Sequence, residues 1–87
     1  MATYKINYLR EFMDVDSNDK LFTNYEEYDL DGVYDTVEKA LEVLREIGGQ
    51  IFGAFITPAE GYLDPERKQL WVSDPCYGDE VWKIIEA

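Results

Sequence analysis

The spacing of apolar residues predicts an α+β domain: a largely antiparallel sheet with one main helix, at about 36–47, packed on it. Three observations carry this prediction. The first residues alternate with period two, the middle of the chain repeats at helical spacing, and the rest is short apolar runs broken by turn residues. A length of 87 residues suits a single domain spanning 1–87, and 46% hydrophobic residues argue for a packed interior over disorder.

Residues 3–13 read as a strand, because Tyr4, Ile6, Tyr8 and Phe12 alternate with Lys5, Asn7 and Glu11. The polar stretch 14–20 reads as a turn, and 21–25 as a returning strand. Asp35 with Glu38 three residues on matches a capping box. Val37, Ala40, Leu41, Leu44 and Ile47 then form the apolar stripe of a helix, with Gly48-Gly49 as its expected stop. Residues 51–57 read as a buried strand, 58–65 as a loop and 69–73 as a strand. The tail 80–87 fits either a helix, through Val81, Ile84 and Ile85, or an edge strand. Trp71 and Trp82 read as core or interface aromatics.

Composition narrows the function classes. With 19 acidic against 8 basic side chains the formal charge is −11, which repels nucleic acid and anionic membrane and favours basic protein surfaces or cations. The absence of histidine removes the commonest general base and transition-metal ligand. Cys76, the single cysteine, has no histidine to activate it, and Gly48-Gly49 is not part of a phosphate-cradling loop. No catalytic, cofactor-binding or metal site is therefore expected. No apolar run has the length of a membrane span, the first residues lack a signal-peptide layout, and a cytoplasmic location is expected.

The charge is concentrated. Residues 11–38 hold ten acids against Lys20 alone, so this stretch carries −9 of the −11. If residues 25–31 are extended, Tyr25, Glu27, Asp29 and Asp31 share one face at roughly 6.6 Å intervals, of the order of phosphate spacing along a nucleic-acid strand. The candidate partner-binding residues are Asp14, Asp16, Asp19, Tyr25, Glu26, Glu27, Tyr28, Asp29, Asp31, Tyr34 and Asp35, the tyrosines serving as anchors. The alternative is a solvated acidic face with half-buried tyrosines on an adaptor or homodimeric assembly domain. Asp14-x-Asp16-x-Asn18 matches the start of a calcium loop. Asp19 stands where that loop needs glycine and Tyr25 where it needs glutamate, so a turn accounts for it better.

The run Leu21-Phe22-Thr23-Asn24-Tyr25-Glu26, followed by an acid-rich stretch and a capped helix, resembles a unit of phage and plasmid antirestriction proteins that imitate DNA. The resemblance covers about residues 21–44. In size and charge the chain is also similar to the small acidic anti-CRISPR proteins of phages. The resemblance implies a non-enzymatic inhibitor, acting in the host cytoplasm if phage-encoded. It would occupy the nucleic-acid-binding site of a defence nuclease, effector complex or other basic protein.

Overall fold

The computed structural model describes residues 2–54, 60–74 and 78–87. Strands β1 (Tyr4–Val15) and β2 (Leu21–Asp29) are followed by helix α1 (Val37–Ala54), then β3 (Glu60–Asp64), β4 (Gln69–Asp74) and β5 (Gly78–Glu86). The strands form one sheet in the order β2-β1-β5-β4-β3, with every neighbouring pair antiparallel. This is the expected α+β class. Helix α1 is the connection from one edge strand to the other, so it crosses the sheet. It rests on β1, β3, β4 and β5 and leaves β2 uncovered.

Strand alternation sorts the side chains into a covered and an open face. Ile6 and Tyr8 of β1, Leu70 and Val72 of β4, and Trp82 and Ile84 of β5 meet Ala40 and Leu44 of the helix, and these eight form the buried core among the described residues. Glu80 shares that face and is buried with them, its Oε1 accepting the Tyr8 hydroxyl at 2.6 Å. A buried carboxylate without such donors would be costly. The opposite face carries Leu9, Val81 and half-buried Trp71, so of the two tryptophans only Trp82 belongs to the core.

The helix begins one residue later and ends later than the sequence suggested. Thr36, not Asp35, is the cap: its Oγ1 accepts the Lys39 amide at 3.2 Å, while Asp35 pairs with Lys39 Nζ at 2.9 Å. Gly48-Gly49 does not stop the helix, which runs on to Ala54. A glycine costs a helix about 1 kcal/mol, too little to outweigh tertiary packing. Gly48 is buried where a methyl group would lie 3.5 Å from Leu70 Cδ1, so the backbone here lies close to the sheet.

Other boundaries differ as well: β1 runs on to Val15, into the stretch 14–20 read as turn, and β2 runs on to Asp29, past the expected 21–25. Residues 51–54, read as the start of a strand, are the last turn of α1, and 55–57 lie outside the described residues. Residues 60–64, read as loop, are β3, paired with β4 from Glu60↔Ser73 to Asp64↔Gln69. The tail is a strand, and an interior one where the sequence suggested an edge, because β5 has β1 on one side and β4 on the other to complete its ladder. That pairing decides between two periodicities that fit the tail equally well. Pro75, Cys76 and Tyr77 also lie outside the described residues.

Candidate protein-binding surface on the first hairpin

Residues 16–20 close the hairpin between β1 and β2. Asp16 N donates to Lys20 O at 3.0 Å and Asp19 N to Asp16 O at 3.1 Å. Asp16 Oδ1 also accepts the amides of Asn18 and Lys20, at 2.8 and 3.0 Å. Asp19 takes a left-handed φ of 59°, a conformation Asp tolerates better than most residues. Among the described residues no three Asp, Glu, Cys or His side chains converge as metal ligands would. The turn uses the Asp16 carboxylate to hold its own backbone.

Register places the sequence-predicted residues individually. β1 pairs with β2 from Asn7↔Asp29 to Val15↔Leu21, so Tyr25, Glu27 and Asp29 lie on the open face and Glu26 and Tyr28 on the other. Asp31 lies past the end of β2, so the expected row of evenly spaced acids stops at Asp29. Two acids of this strand are already engaged. Glu26 Oε2 meets Arg10 at 3.3 Å, and Asp29 Oδ2 meets Lys5 Nζ at 2.8 Å while its Oδ1 accepts Asn7 Nδ2 at 3.0 Å. The Lys5 hydrogen bond, helped by Asn7, holds the Asp29 carboxyl below its usual 3.8. The Lys39 hydrogen bond lowers Asp35 in the same way, and Lys39 is raised in return. Glu27, Asp31 and Asp19 form no ion pair among the described residues.

The three tyrosines divide. Tyr34 bridges to Tyr4 through two backbone hydrogen bonds and packs against the core. Tyr28 lies against Tyr8 with ring centroids 4.9 Å apart, and Tyr8 in turn against Trp82 at 5.0 Å. Tyr25 alone of the three stands well clear of the fold, at 60% exposure. On the open face it is joined by Met13, Val15 and Leu21, all exposed, with Val15 directly opposite Leu21. These apolar neighbours were not among the expected site residues. A signal for them exists in the adjacent pair Leu21-Phe22: in a strand one of the two must face away from the core.

Two edge amides of the hairpin are capped by its own side chains. The bonds Asp16 N→Lys20 O and Leu30 N→Ile6 O fix the ladder so that odd-numbered residues of β2 turn their amides to the open edge. The Tyr25 amide is taken by Asn24 Oδ1 at 2.9 Å. Across the hairpin, the Val15 amide is taken by Asp14 Oδ1 at 2.8 Å, and Asn24 Nδ2 donates to Asp14 Oδ2 at 3.3 Å. One cross-strand pair, Asp14 and Asn24, thus closes an amide on each strand.

No helix among the described residues is long and apolar enough to cross a membrane. No family model, curated protein or solved structure matches the chain.

Proposed function

We propose that this chain is a non-catalytic inhibitor that sets its acidic hairpin against the nucleic-acid-binding site of a basic protein, excluding DNA or RNA by competition. The observation that supports the reading most is the hairpin itself. Residues 11–29 carry seven acids against Lys20, five of them on two strands and two in the turn that joins them, and the helix leaves one of those strands uncovered. A two-stranded ladder is a firmer scaffold than a loop, so carboxylates on it lose little freedom on pairing with lysine and arginine. Opposite charge over such a surface speeds association and weakens as salt screens it. Glu27, Asp31 and Asp19 are the acids best placed to pair outward, since Glu26 and Asp29 are held by Arg10 and Lys5. Each exposed pair contributes only about 0.2–1 kcal/mol, so several must act together.

The test has two steps. The chain is used to capture proteins from a host lysate at low and high salt, and each captured protein is then loaded with a labelled duplex. The expected result is capture that fails at high salt and displacement of the duplex by the chain. The variant E27Q/D31N/D19N keeps shape, removes charge and should lose displacement at least about tenfold, more than 1.4 kcal/mol. Undiminished displacement by that variant would sink the reading.

A further inference from the structure

The hairpin presents more than charge. Met13, Val15, Leu21 and Tyr25 are exposed at 60, 51, 69 and 60% on one face of its free end. Four large apolar side chains grouped on a strand pair mark a contact surface rather than scattered surface residues. What covers them is constrained by two features. The first is that Asp14 and Asn24 already take the Val15 and Tyr25 amides, two of the donors that an added strand at this end would use. The second is charge. Glu11, Asp16, Asp19 and Glu27 border the apolar group and Lys20 is the one base there. A second copy would bring like charges together.

We propose that the hairpin end is an anchor whose Met13, Val15, Leu21 and Tyr25 side chains enter an apolar depression rimmed by lysine and arginine on the partner protein. The proposal rests on the inhibitor reading above and specifies the kind of surface on the target. The apolar group supplies the desolvated centre, and the acids supply the rim pairs that exclude water around it. The contact is made by side chains, since the Val15 and Tyr25 amides beside them are already taken.

The test uses the full chain, isotope-labelled, titrated at low salt with synthetic peptides of matched length. One has lysine flanks and a Leu-Phe-Leu centre, one has the same flanks and a Ser-Asn-Ser centre, and one has glutamine flanks around the apolar centre. The lysine-flanked apolar peptide is expected to bind at least about tenfold tighter than either relative and to shift the resonances of residues 13, 15, 21 and 25. Leu21→Thr should remove that advantage without altering the rest of the spectrum. Val33→Thr, at an exposed site off the hairpin, should not remove it. Equal binding by the two lysine-flanked peptides would overturn the anchor and leave the charge reading standing. Equal binding by the glutamine-flanked peptide would overturn the charge reading and leave the anchor. Binding of none would overturn both, and a concentration-dependent dimer abolished by Leu21→Thr would assign the face to a second copy and overturn the proposal.

Discussion

Gly78 opens β5 at a φ of 105°, and a methyl group there would lie 2.3 Å from the Glu11 carbonyl oxygen. Neither the backbone angle nor the space admits a side chain, so Gly78→Ala should destabilise the protein by more than about 2 kcal/mol in denaturant melts. Gly49 is the opposite case: nothing lies within 4 Å of its added methyl, and it sits in mid-helix. Gly49→Ala should stabilise by about 1 kcal/mol, read in the same melts. Asp29 provides the residue-scale pH dependence. Its folded carboxyl is held below 3.8 by Lys5 and Asn7, so its contribution is present above that pH and is lost as pH falls through the lower folded value. Relative to Asp29→Asn, the wild-type advantage in stability should be constant above about pH 5 and shrink steadily below 3.8. An advantage that grew on acidification would contradict the Lys5 pairing.

Among the elements, the β1–β2 hairpin combines exposed apolar side chains with one capped edge amide on each strand. Exposed strand edges bearing apolar residues normally invite pairing with other chains. Here the Asp14–Asn24 pair occupies one amide on each strand, and acids flank both. Replacing Asn24 by valine releases the Tyr25 amide and the Asp14 carboxylate and adds a strand-forming residue. That variant should self-associate more than wild type in sedimentation at matched concentration, with its melting temperature little changed. Unaltered sedimentation would show that charge alone keeps the hairpin apart. Helix α1 illustrates a different balance. Its two central glycines weaken it locally, yet packing over Leu70 carries it through to Ala54.

At the scale of the molecule, the hairpin makes the protein long. Its Cα radius of gyration is 14.6 Å and its longest extent 51 Å, where a compact chain of this length would have a radius of about 12 Å. Among the described residues the buried core is eight hydrophobic side chains, shared between the sheet and the one helix. Against it stands a net charge of −11, of which residues 11–38 carry −9. Self-repulsion should outweigh the few exposed ion pairs, so raising salt from about 10 mM to 0.5 M should raise the melting temperature. A fall would mean that the pairs of Lys5, Arg10 and Lys39 matter more than the net charge.

The sequence by itself determined the fold class, the first two strands, the apolar stripe of the helix and the confinement of charge to one stretch. Those are local properties, set by period, turn chemistry and residue type. It did not determine where α1 ends or that the tail is a strand, since these depend on Leu70 beneath Gly48 and on partners for β5 in β1 and β4. Within the candidate surface, composition revealed the acids but not their states. Whether a carboxylate is free or spent depends on what register sets beside it: Lys5 and Asn7 reach Asp29, Arg10 reaches Glu26, and Glu27 faces outward with neither. Tertiary structure likewise decided which tyrosine stays exposed. Tyr28 rests on Tyr8 and Tyr34 on the core, while Tyr25 lies beyond the helix's reach among Met13, Val15 and Leu21, because a single helix crossing to the far edge cannot also cover the strand it leaves.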